Sequence, residues 1–413
     1  MKWRAAPAAV MMFAAHSFAQ PVDRFTLRPD ILLYNVPLSI SLEELTPLPE
    51  AWQHVLYRVD EDKRIPIASQ TGPEALWFRL DKPVAPGQTI TLELTCEKTK
   101  DSKPANRIVE DDKQITLKHC DQDIVSYYFA LQPVPEGVDP IYRRSGFLHP
   151  LVSPAGHVLT RIQPPDHRHH YGLWNPWTKT HIEGREVDFW NLHRKLGTVR
   201  HAGFISKTEG PVFAAFCACH EHIMFQPDGT EKIAMKEVLT VETSVADIEG
   251  QTVWILDHIS TFTNVLNTPI ELAWYRYGGG LCLRAPESWT KDTCTVLTSE
   301  GKSRDEADGT RARWADLRGQ SPDGQSSGIV FMSHIENYEH PEPVRVWPSD
   351  ANGGRGDLMF DYSPTRLSNW IIAPDETNTL RYRLIVYDGE ISPETAETLW
   401  SNFSCPPVVI RND

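Results

Sequence analysis

Thr252-Val253-Trp254-Ile255-Leu256-Asp257-His258-Ile259-Ser260-Thr261-Phe262 is dominated by β-branched and aromatic residues, which pack well on a pleated surface and mark a strand. Outward from it the chain repeats the theme. Gly210-Pro211 opens a strand over 212–225, and Asp228-Gly229 is a hairpin turn leading to Lys236-Glu237-Val238-Leu239-Thr240-Val241. Residues 126–131, 329–332 and 380–387 read as further strands, and 90–95 and 114–118 alternate apolar and polar residues at period two. Helical periodicity appears only at 392–403, opened by Ser392-Pro393-Glu394. With 32 prolines and 24 glycines, the pattern is many strands joined by loops. The fold class expected is all-β: a large, supersandwich-like β-sandwich, a small immunoglobulin-like β unit before it, and a short C-terminal helix.

The chain divides into three expected segments. Residues 1–20 have the form of a signal peptide: Lys2 and Arg4, a short apolar run, then Ser17-Phe18-Ala19 as a cleavage site. Residues 21–120 form the small β unit and 121–413 the main domain. The signal predicts a secreted or periplasmic protein, and no later stretch has the length of a membrane span. Without Lys2 and Arg4, 39 of the 41 basic residues remain against 55 acidic ones, a balance that argues against nucleic acid and anionic membranes as partners. Seven cysteines are too few for a disulfide scaffold, and their odd number leaves at least one unpaired. Cys217 and Cys219 read as buried small residues of a core strand.

Chemistry concentrates in Asp166-His167-Arg168-His169-His170-Tyr171-Gly172-Leu173-Trp174 and, shortly after, Val187-Asp188-Phe189-Trp190. In a tight turn the three imidazoles can meet; in an extended strand His167 and His169 share one face. Imidazole moves protons near neutral pH and ligates transition metals, but this spacing matches no standard zinc motif. Ten of the 16 histidines fall between His149 and His222, and His220 and His222 alternate on one strand. They could complete a metal sphere or lie on a solvated face. Asp188, between Val187 and Phe189, is the candidate buried carboxylate. Trp274-Tyr275-Arg276-Tyr277-Gly278-Gly279-Gly280 places three glycines inside a β pattern, which signals a bulge or a close backbone approach. Arg284 requires an anionic partner, and 334–341, with Arg345 and Trp347, reads as a rim loop. No G-x-S-x-G elbow is present.

The blocks His149-Pro150, Ser153-Pro154-Ala155-Gly156, 166–174 and Asp188-Phe189-Trp190 resemble the PmoA-like family of mostly exported bacterial proteins. Gly279-Gly280-Leu281, Arg313-Trp314-Ala315-Asp316 and Tyr382-Arg383-Leu384 follow in the same order, so the resemblance spans about 121–390. It implies a β-sandwich core and an association with bacterial sugar catabolism.

Thirteen tryptophans supply apolar faces on which sugar rings stack. The expected function is a secreted carbohydrate-active enzyme, a hydrolase or lyase on a glycoside or glycan-derived sugar. His169 and His170 would be its acid–base groups and Asp188 their partner. Trp174, Trp190, Arg284 and Asn337 would bind the sugar or oligosaccharide. One alternative is an oxygenase or other metalloenzyme holding a divalent metal on His167, His169 and His222. Another is a non-catalytic sugar-binding protein.

Overall fold

The computed structural model describes residues 23–46, 52–98, 103–175 and 177–412. The expected signal segment, 1–20, lies outside them. Every strand pair among them is antiparallel, and two eight-stranded sheets face each other to form the main sandwich. The protein is an all-β sandwich, with one substantial helix among the described residues. No helix among the described residues is long and apolar enough to cross a membrane.

The first large sheet runs, in spatial order, Val344–Val346, Met359–Tyr362, Cys282–Arg284, Leu173–Trp174, Phe147–Leu151, Gln122–Tyr128, Gln114–His119 and Asn106–Glu110. The second runs Gly197–Thr208, Phe213–Phe225, Glu231–Ile248, Gln251–Asn264, Thr377–Asp388, Ser326–Ser333, Trp314–Gln320 and Cys294–Thr298. Glu231–Ile248 and Gln251–Asn264 form one long hairpin, closed by Glu249 and Gly250 in left-handed conformations. A four-stranded sheet of Arg185–Val187, Thr180–Ile182, Ile270–Leu272 and Trp370–Ile372 flanks them.

The stretch 252–262 lies at the centre of the second sheet, and its composition follows from what covers it. Trp254, Leu256 and Phe262 face the opposing sheet. Val253 and Ile255 face the other way, into a second core built with the amino-terminal strands and with Ala396 and Leu399 of the C-terminal helix. A strand covered on both faces must be apolar without interruption, as 253–256 is. The helix, Pro393–Ser404, starts where expected: Ser392 Oγ accepts from the Thr395 amide at 3.1 Å, and proline takes the first turn.

The amino-terminal layers are a five-stranded sheet and a three-stranded one. Two features depart from the expected boundary at residue 120. Asn106–Glu110 and Gln114–His119 belong to the first large sheet, paired through Gln122–Tyr128. Residue 120 sits in the turn of that hairpin, with Cys120 at φ 51°. The edge strand of the five-stranded sheet, Val409–Arg411, comes from the far end of the chain. Cys217 and Cys219 are half-buried on the outer side of their strand, because His220 and His222 take the inner side. None of the seven cysteines is in a disulfide.

Candidate active site

The histidine-bearing segment 163–170 is neither strand nor helix. Ile162 and Tyr171 bridge at the base of a loop, and within it His167 N donates to Pro164 O and His170 N to His167 O. Two successive turns therefore fold 164–170 on itself and bring the three imidazoles together. The ring centres of His167 and His170 are 4.7 Å apart, those of His169 and His170 4.8 Å, and those of His167 and His169 5.4 Å. His193, from the short turn Leu192–Arg194, adds a fourth ring 5.8 Å from His169.

These rings line an open cavity of about 490 Å³. Tyr142, Trp190, Tyr275, Tyr277 and Trp347 supply its aromatic walls, and Arg168 and Arg276 its cations. The wall at 275–277 is positioned by the glycines that follow it. At Gly279 (φ 80°) a Cβ would overlap the Trp177 ring, and at Gly280 (φ 71°) it would overlap the Tyr362 carbonyl. Only glycine permits that approach. The close backbone approach expected from the three glycines is present.

Burial disfavours the charged forms of His169 and His170. The His169 imidazole is shifted down to about 3, first by desolvation, then by His167, His193, Arg144 and Arg284. His170 is shifted down as well, by its complete burial and then by His169 and Arg284, and its Nδ1 has no hydrogen-bond partner. Asp166 behaves oppositely. Burial alone would raise its pKa, but the hydrogen bond from His167 Nδ1 (2.8 Å) and the charge and hydrogen bond of Arg284 (2.7 Å) hold the carboxylate well below its usual range.

The expected site residues divide. His167, His169, His170 and Trp190 line one cavity. Trp174 does not; it is 1% exposed, packed beneath, with its ring 5.2 Å from His170 and 5.3 Å from Trp190. Arg284 is fully buried, and its partner is Asp166. Asp188 touches no histidine. Its carboxylate accepts from the amides of Trp190 (2.9 Å) and Asn191 (2.8 Å), from Asn191 Nδ2 and from Arg194, so it shapes the turn that presents Trp190. Asn337 is buried away from the cavity, where it bonds Glu342 and the backbone of Arg381.

The proposed metal set does not assemble. His222 lies in the other sheet and shares the buried Glu237 carboxylate with His220, at 2.9 and 3.3 Å. The inner side of a core strand, not a solvated face, accommodates both histidines because Glu237 meets them there. Among the described residues no three His, Cys, Asp or Glu side chains are arranged to hold a metal ion. Glu237 had a signal: it falls in the inward register of Met235, Leu239 and Val241. His193 and Tyr142 had none of comparable strength, since neither stands in a patterned segment. Tyr275, Tyr277 and Trp347 stood in segments expected at the cleft, without individual roles.

The family of unknown function DUF6807 matches residues 114–401. The chain belongs to that family. No curated protein matches the sequence. A glycosyl hydrolase family 38 protein from Enterococcus faecalis is 10% identical over 96% of this chain and 48% of its own, with a TM-score of 0.45. An α-mannosidase from Enterococcus faecalis V583 is 10% identical over 96% of this chain and 46% of its own, at 0.46. The DUF6807 chain thus spans about half the length of these two proteins. A galactose mutarotase related enzyme from Lactobacillus acidophilus is 6% identical over 69% of this chain and 97% of its own, at 0.29.

Proposed function

We propose that this DUF6807 protein is a carbohydrate-active enzyme that works by proton transfer at neutral imidazoles, as a lyase. One observation carries the reading: His169 and His170 are kept unprotonated at the wall of an open, aromatic-lined cavity. A neutral imidazole can accept a proton, and a substrate anion bound beside it would raise its depressed pKa towards the operating range where a general base works best. The aromatic walls suit the apolar faces of a sugar ring.

Glycoside hydrolysis in its usual form needs two carboxyl groups facing each other across the scissile bond. Among the described lining residues the one carboxylate is Asp166, and it is held ionised by Arg284 and His167. That favours elimination over hydrolysis. The base takes a proton from the carbon beside a carbonyl or carboxyl group, the adjacent C–O bond breaks, a C=C bond forms, and the departing oxygen is protonated. The resemblance of the histidine block to PmoA-like proteins, with their association with sugar catabolism, agrees with this reading.

The test is a panel of glycosides and polysaccharides assayed for unsaturated products by ultraviolet absorbance and mass spectrometry. Turnover by the native chain, lost in His169→Gln with binding retained, is the expected result. Binding without any turnover would make the protein a sugar-binding module instead.

A further inference from the structure

The charges around the cavity do not balance. The carboxylates of Asp166, on the histidine loop, and of Asp357 are both already engaged: Asp166 by Arg284 at 2.7 Å, Asp357 by Arg161 at 3.1 Å and Arg355 at 2.9 Å. Two lining arginines have no carboxylate partner among the described residues. Arg168 gives one nitrogen to the Gln163 carbonyl at 2.7 Å, and Arg276 is exposed with its guanidinium 5.1 Å over the Tyr277 ring. A third arginine, Arg144, is fully buried behind the wall, bonded to the Phe189 carbonyl, and has no ion pair. All this occurs in a chain of net charge −14, which makes an uncompensated cationic pocket conspicuous.

We infer that the cavity receives a sugar bearing an anionic group, and that Arg168 and Arg276 take that group. The inference rests on the carbohydrate reading and names its substrate class. Guanidinium presents planar paired donors to carboxylate, sulfate and phosphate oxygens alike. Buried arginines with unused donors add to the field: Arg144 Nε and Arg284 Nε and Nη1 have no partner. Desolvation, then His167 and His193, depress His169 most, and Arg144 and Arg284 add to that shift. An anion bound there would meet cations from several directions without displacing an existing ion pair. For an elimination it would also neutralise the carboxylate next to the carbon that loses its proton.

Binding should be measured by calorimetry on the full chain with matched probes: glucuronate and galacturonate, glucose 6-sulfate and glucose 6-phosphate, the neutral glucose and galactose, and the bare anions acetate and sulfate. One acidic class should bind at least about tenfold tighter than its neutral sugar, and more weakly as salt rises. Arg276→Gln and Arg168→Gln should each erase most of that difference while leaving the melting temperature unchanged. The acidic arms tell carboxylate from sulfate and phosphate. Equal affinity for neutral and acidic sugars, or an unchanged ratio in both variants, overturns the inference and leaves the carbohydrate reading standing. Bare anions binding as well as acidic sugars, with no neutral sugar bound, overturns both.

Discussion

Arg284 Nη2 donates to Asp166 Oδ2 at 2.7 Å from a fully buried position, tying the middle of the first large sheet to the loop that carries three histidines. The guanidinium also lies 4.7 Å over the Trp347 ring, so one side chain fixes the loop and one aromatic wall together. Replacing Arg284 by Met leaves Asp166 without its cation and unfastens the loop. Asp166 is only part-buried, so breaking the pair from the Arg284 side costs about 1–2 kcal/mol, less than for a fully buried pair. Chemical denaturation should show a loss of that order, and Asp166→Asn added to it should cost little more.

The pH dependence of catalysis separates a buried imidazole from an ordinary one. His169 is shifted from 6.5 down to about 3, so its base form persists through the mildly acidic range. The expected profile of kcat/KM on an eliminated substrate has no acid limb near 6.5; it falls only as pH approaches the shifted value. A limb at 6.5 would remove His169 as the base.

Glu237 is an independent test of the sandwich interior. Its carboxylate accepts from His222 (2.9 Å), His220 (3.3 Å) and Ser260 (2.6 Å). Burial alone would raise its pKa, but the histidine hydrogen bonds outweigh burial and keep it ionised. Glu237→Gln turns an amide towards imidazole donors and should destabilise the fold by about 2–3 kcal/mol. Sugar affinity, measured below the unfolding transition, should not change, because Glu237 does not line the cavity.

Glu342 gives a stability slope of known sign. It is buried, and desolvation pushes its carboxyl from 4.5 up to about 7 despite bonds from Ser333, Asn337 and Tyr382. A raised folded pKa means that the group's stabilising contribution is complete below pH 4.5 and is lost as pH rises through 7. Glu342→Gln does not titrate. The stability difference between variant and native chain should therefore shift in the variant's favour between pH 5 and 7.5, by at most about 3 kcal/mol. A flat difference would mean that the carboxyl titrates normally.

How much the sequence disclosed depended on whether the signal was local. The strands around 252–262 and the helix at 393–404 were legible because strand composition and a Ser-Pro start are properties of contiguous residues. The histidine block was legible as a site because so many titratable groups in so few residues are hard to place in a core. Individual roles were less so. Trp174 and Trp190 have the same composition signal, yet one is packed under the floor and the other lines the cavity.

The turn capped by Asp188, which presents Trp190, decided that difference, and strand pairing decided most of the partners. Asp188 reads as a buried carboxylate beside histidines; it is buried, but its oxygens are taken up by its own turn and by Arg194 and meet no histidine. Arg284 and Asp166 are 118 positions apart, and nothing near either identifies the other. By itself the sequence determined an all-β chain and the location of its chemistry, since hydrophobic period and residue density are written along the backbone. Only the tertiary structure decided which histidines meet, which arginines are left without carboxylates, and that Tyr275, Tyr277 and Trp347 wall the cavity. Those relations are set by sheet pairing and by turns that bring distant segments within a few ångströms.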